Sequence, residues 1–198
     1  ADNMIYIRSN ADDPDAVYSY SAEVRTVSED PSKPERKMAV KMVAPDAKYS
    51  NNQIVVDIPN VRKPMPLFIV MRALGVISDR DIVERCLLNL EANAAMADLF
   101  VPCVHDACEI FTQAAALKFI ATFTKEKTVA QVQNILMNYF MPQIGELNFG
   151  AKAYFLGYMV RKMLLVFNRV ERPTDRDSFK YKRVEVPGAL MFNLFRTY

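Results

Sequence analysis

The apolar pattern of this chain changes period once, near Pro64, and that change restricts the folds open to it. Up to residue 60 the apolar positions recur every second residue. The stretch "VYSYSAEVRTV" (17–27) sets Tyr18, Tyr20, Ala22, Val24 and Thr26 on one face against Ser19, Ser21, Glu23 and Arg25 on the other. "KMAVKMV" (37–43) repeats the period with Met38, Val40 and Met42, and "QIVVDI" (53–58) with Ile54, Val56 and Ile58. Side chains of a strand alternate between its faces, so these runs predict half-buried strands. The connections "SEDPSKPER" and "APDAKYSNN" are polar and carry Pro or Asn, as turns do. The prediction is an antiparallel meander.

Beyond Pro64 the spacing is helical. Pro66 suits a first helical turn, where a missing N–H costs nothing, and Gly75 supplies a left-handed residue to end the run "LFIVMRAL". "SDRD" (78–81) resembles a capping box ahead of Ile82, Val83, Cys86 and Leu87. "TVAQ" (128–131) does the same for the stripe Val129, Val132, Ile135, Leu136, Tyr139 and Phe140, which stops near Pro142 and Gly145. Strands first and helices afterwards, with no alternation, predict an α+β fold: an N-terminal meander followed by a helical bundle.

With 198 residues, 51% hydrophobic and 24% charged, the chain has material for one core and is not expected to be disordered. A net charge of +2 is too small for coating nucleic acid by bulk charge, so any such binding needs a local patch. Three cysteines argue against a disulfide framework and for a reducing compartment. The longest apolar run, "AYFLGYMVRKMLLVF" (153–167), carries Arg161 and Lys162 at its centre and reads as a buried or docked helix, too charged and short to span a bilayer. The opening "ADNMIYIRSN" is polar and strand-like, unlike a secretory signal, and its lack of an initiator Met suggests a piece of a longer chain.

Candidate chemistry is sparse. Cys86, Cys103, His105 and Cys108 are soft ligands, but no C-x-x-C pair is present and residues two apart on a helix face different ways. Buried thiols and a surface His are the expectation, and neither a zinc site nor a Cys–His nucleophile is predicted. No phosphate-cradling glycine motif occurs. Asp12, Asp13 and Asp15 lack the Gly and closing Glu of a calcium loop. Tyr154, Phe155, Tyr158 and Met159 are at helical spacing and are expected in a core or an interface. The densest feature is "PTDRDSFKYKRVEVPG" (173–188). Within it Arg176, Lys180, Lys182 and Arg183 interleave with Phe179 and Tyr181, as in surfaces that meet phosphates while a ring stacks. The competing reading is a structural loop in which Asp175 and Asp177 pair with neighbouring arginines.

The same region carries a resemblance. "KAYFLGYMVRKMLL" (152–165) and "DRDSFKYKRVEVPGALMFNLF" (175–195) resemble the second-largest, beta-type subunit of multisubunit DNA-directed RNA polymerases. That family has a K-A-F/Y-F-L-G-Y-M helix followed by a D-D-R-D-H-x-x-x-K-R-x-x-x-x-G segment. "PMPLFIVMRALGVISDRDIVE" (64–84) is similar to its P-x-P-x-x-I-x-x-R-A-L-G block, and "AALKFI" and "ILMNYFMPQIGE" fall in the same order between. The blocks are collinear over nearly the whole chain. The DRD form resembles the eukaryotic, archaeal and viral branch. Ser178 stands where the family has His, Thr174 where an acid is usual, and Pro187-Gly188 where two small residues are usual; these departures suggest a divergent lineage such as a large DNA virus.

The resemblance implies a lobe domain over 17–184, with 1–16 a strand from an adjoining protrusion domain and 185–198 the start of a return into it. It implies a non-catalytic segment with no metal or cofactor of its own, Mg and Zn lying elsewhere in the polymerase. Arg176, Lys180, Lys182 and Arg183 would meet DNA or the next domain, and Asp175 and Asp177 would form structural ion pairs. Partners would be other polymerase subunits, chiefly the largest, together with downstream DNA and transcription factors. The location would be intracellular: the nucleus, or the cytoplasm or virion for a viral protein. A freestanding α+β interaction module without enzymatic activity is the alternative.

Overall fold

A computed structural model of the chain describes residues 4–13, 15–28, 34–45, 51–91, 93–182 and 184–197. Five antiparallel strands form one sheet in chain order: β1 (Ile5–Ser9), β2 (Tyr18–Thr26), β3 (Arg36–Val43), β4 (Ile54–Asp57) and β5 (Met65–Pro66). Helices α1 (Leu67–Ala73), α2 (Asp79–Leu87), α3 (Ala94–Ala97), α4 (Val101–Asp106), α5 (Gln113–Ala121), α6 (Val129–Asn138), α7 (Phe149–Phe167) and α8 (Pro187–Thr197) follow. The α+β expectation holds. Parts of the two expected turns, 29–33 and 46–50, lie outside the described residues.

Register explains the burial. Ile7 opposes Ala22, which opposes Val40, which opposes Val56, so one cross-strand row is apolar throughout. Val24 and Met38 extend that inner face, against which α7 and α1 pack. The polar face of β2 differs from expectation, because Ser19, Ser21 and Glu23 are buried too. The register shifts between Tyr18 and Tyr20, and the Lys41 ammonium sits 4.9 Å from the Tyr18 ring centre, so Tyr18 leaves the Tyr20 face. Tyr20 stays inside and meets Phe167 of α7 edge-on at 5.4 Å.

All seven residues of α1 are buried. A helix buried on every side belongs in a core, and α1 touches β4, β5, α2, α4 and α5. Its end is a Schellman turn: Gly75 at φ +100° donates to Arg72 O and Val76 donates to Met71 O, both at 3.0 Å. The helix starts differ from each other. Thr128 caps α6 as expected, its hydroxyl accepting from the Gln131 N–H at 3.3 Å. Ser78 precedes α2 but makes no side-chain cap; Asp79, next in sequence, binds Arg72 instead.

Two buried cations tie helices together. The Arg72 guanidinium, 2% exposed, donates to Ala107 O at 2.9 Å, to Ile110 O and to the Asp79 carboxylate. Lys152 is fully buried at the start of α7. Its Nζ donates to Leu136 O at 2.7 Å, Met137 O at 3.0 Å and Glu146 O at 3.3 Å, closing the C-terminus of α6. Burial drives its pKa down to about 8, against a smaller upward pull from Glu146.

Helix α7 crosses α2 closely. A Cβ on Gly157 would stand 2.6 Å from Arg85 O, a backbone atom that cannot swing aside. Gly157→Ala gains helix propensity but forces the helices apart. We expect a net loss of about 1–3 kcal/mol in urea unfolding, larger for Gly157→Leu, while a Gly150→Ala control, whose Cβ meets nothing within 4 Å, is neutral or stabilising.

Candidate functional site

After α7 the chain folds back as an arm across the edge and outer face of the sheet. Thr174 N–H donates to Ile7 O at 2.9 Å, placing the arm beside β1. Tyr6 Oη donates to Tyr181 O at 3.4 Å, and the Arg176 guanidinium lies 5.0 Å from the centre of the Tyr6 ring. In this chain β1 is therefore the edge strand of the same sheet, paired with β2 along five residues.

Glu23 anchors the arm. Opposite Tyr6 in the ladder, its carboxylate accepts from Arg176 Nη2 at 2.9 Å and from Lys37 Nζ at 3.0 Å. Its side chain is 11% exposed. Burial alone would raise its pKa; the hydrogen bond and charge of Lys37, with the charges of Arg176 and Arg8, outweigh burial and hold it below the ordinary 4.5.

The expected ion pairs are rearranged. Arg176 meets Glu23 of β2, 153 residues away in sequence. The Asp175 carboxylate accepts from the Asp177 N–H at 2.9 Å, a local turn bond. Neither Asp175 nor Asp177 forms an ion pair among the described residues. Ser178 stands where the polymerase pattern has His, and its hydroxyl accepts from Lys180 N–H at 3.4 Å to start a 3₁₀ turn over Phe179–Tyr181. Lys180 and Lys182 are exposed, their ammonium groups 5.6 Å from the Tyr181 ring and 5.8 Å from the Phe179 ring. Phe179 is 85% exposed. Arg183 lies outside the described residues. Arg176, Lys180 and Lys182 thus share one arm, with Arg176 committed to the sheet and the two lysines facing solvent.

The thiols are dispersed. Cys86 of α2 and Cys103 of α4 are buried, whereas Cys108 is exposed. Burial pushes Cys103 up to about 11 and Cys86 further still, and Cys103 Sγ accepts from Ile54 N–H at 3.3 Å. His105 is on the surface. No group of three or more His, Cys, Asp or Glu side chains among the described residues is placed to hold a metal ion. No helix among them is long and apolar enough to cross a membrane.

Past the arm, α8 keeps much of its apolar surface open: Leu190, Met191, Phe192, Leu194 and Phe195 are all at least half exposed.

The family model described as RNA polymerase Rpb2, domain 2, matches residues 1–185. The chain belongs to this family. This Rpb2 domain 2 chain is 34% identical over 186 residues, 90% of its length, to the DNA-directed RNA polymerase II subunit RPB2 of Schizosaccharomyces pombe. It is 32% identical, over its whole length, to that subunit of Encephalitozoon cuniculi. Over 71% of its length it is 33% identical to the subunit Rpo2 of the DNA-directed RNA polymerase of Saccharolobus solfataricus. It spans 15%, 17% and 13% of those relatives, respectively. The arm, the buried Arg72 and the buried Lys152 all fall inside the matched residues.

What the sequence left unnoticed in this Rpb2 domain 2 was Glu23. The signal was present: one carboxylate on the outward side of β2 among Arg8, Arg25, Lys37 and Lys41. We expect Glu23→Gln to cost about 1–3 kcal/mol at pH 7 and to speed tryptic cleavage after Arg176 and Lys180. The Glu23 contribution is full above the unfolded carboxyl pKa near 4.5 and is lost as pH falls through the lower folded value. Urea midpoints of wild type and Glu23→Gln therefore converge in acid; a constant gap between them would assign the loss to packing.

Proposed function

We propose that this chain is the non-catalytic lobe segment of the second-largest subunit of a DNA-directed RNA polymerase. It forms part of the cleft wall facing downstream DNA and presents a docking surface for transcription factors. The observation that carries this reading is the match to Rpb2 domain 2 over residues 1–185, in relatives whose own names are those of polymerase subunits. The assembled enzyme joins ribonucleoside triphosphates by metal-assisted phosphoryl transfer, with its Mg and Zn held elsewhere, and the segment alone is inactive. The largest subunit is the chief partner, and the site of action is intracellular: the nucleus, or the cytoplasm or virion of a large DNA virus.

Two features of the chain support such a setting. Exposed Lys180 and Lys182 stand on an arm fixed to a rigid sheet, which suits sparse phosphate contacts. The half-exposed apolar side chains of α8 suit burial against an adjoining domain.

An antibody against this segment, used on lysate of the source, is expected to detect a band far above 22.6 kDa that co-purifies with RNA synthesis. A band at 22.6 kDa without that activity would leave a freestanding interaction module. In the assembled enzyme, alanine at Lys180, Lys182 and Arg183 weakens DNA binding modestly, and the salt slope falls by roughly one for each phosphate no longer neutralised. Unchanged affinity and slope would remove DNA as the target of these residues.

A further inference from the structure

We propose that the part of the β1 edge left open by the arm, at Ile5 and the Ile7 N–H, receives with the cleft beside it an extended acidic segment of a partner protein as a short sixth strand. This names a docking site of the kind proposed above. It rests on that reading only for the partner being a transcription protein.

Backbone polarity is the first observation. Asn10, continuing from β1, donates to Ser19 O at 2.7 Å, toward β2, whereas Ile7 O accepts from Thr174 on the opposite side. In an antiparallel ladder successive residues alternate in the direction of their N–H and C=O groups. Tyr6, Arg8 and Asn10 therefore address β2, and Ile5 and Ile7 address the open edge. The arm occupies that edge only at Ile7 O, which leaves the N–H and C=O of Ile5 and the N–H of Ile7 without a partner among the described residues. Such an edge is a template for another strand.

Beside these groups lies a cleft of about 390 Å³ between β1, α7 and the arm. Ile5, Ile7 and Phe155 give it an apolar floor, and Lys162, Glu171 and Arg172 stand at its rim. Lys162 and Glu171 neutralise each other at 2.9 Å. Arg172 is exposed and has no ion-pair partner among the described residues, so the rim carries one uncompensated positive charge. An added strand directs alternate side chains into the cleft, and a carboxylate on it meets Arg172. That charge commits the occupant to an acidic extended peptide over a basic or helical one.

The test uses the purified chain and a blocked heptapeptide of alternating valine and threonine with one central aspartate. Backbone NMR titration is expected to shift Ile5 and Ile7 and to slow their amide exchange at least about tenfold. Ile5→Pro removes an N–H that the ladder does not use, so circular dichroism stays native while binding is lost. Arg172→Glu weakens the acidic peptide at least about tenfold, and a peptide with lysine in place of the aspartate restores binding to that variant. Saturation by about 1 mM peptide with shifts elsewhere, binding undiminished in Ile5→Pro, or no binding at all would each overturn the proposal. If Ile5→Pro fails to fold, the charge swap decides alone. A failure here leaves the co-purification experiment untouched, and the converse holds as well.

Discussion

The helical half of the molecule is organised around the guanidinium of Arg72. It leaves the C-terminal end of a buried helix and reaches two carbonyls of the α4–α5 connection and the first carboxylate of α2. A buried charge is tolerated only when paired and hydrogen-bonded, and removing one partner from such a set typically costs about 3–5 kcal/mol. Because α2 is held here, its crossing with α7 at Gly157 is held too, and α7 is the helix that covers β1 and β2. Arg72 is thus linked, through α2 and α7, to the helix that covers the sheet.

Much of this architecture is legible in the residues. The period-two runs identify β2, β3 and β4 almost to the residue, since Ala22, Val24, Met38, Val40 and Val56 all face one core. Gly75 and Thr128 end and begin helices for local reasons that need no tertiary partner. Where tertiary contacts compete, local signals mislead. Ser78 is surrounded by a capping pattern, but it does not cap α2, and the neighbouring Asp79 is engaged by a buried arginine. The outward side of β2 reads as solvent-facing, and only a segment some 150 residues later in the chain puts Glu23 under cover.

The candidate site shows the same division. Its cations are visible in sequence as a cluster interleaved with Phe179 and Tyr181. Their roles separate only in three dimensions: Arg176 is spent on anchoring, while Lys180 and Lys182 remain available at the surface. Among the described residues the Asp175 carboxylate takes a backbone turn bond, and Arg176 goes to a better-sheltered carboxylate on the sheet. Tight burial of Lys152 was equally hidden, since a lysine opening a helix ordinarily points to water.

The seam between the arm and β1 also has a mechanical meaning. Thr174 on Ile7, Tyr181 on Tyr6 and Arg176 on Glu23 fasten the last segment before α8 to the first strand. The first strand and the segment leading into α8 are thus pinned side by side. A load applied to α8 therefore meets the edge strand, through the arm, before it meets the helical core.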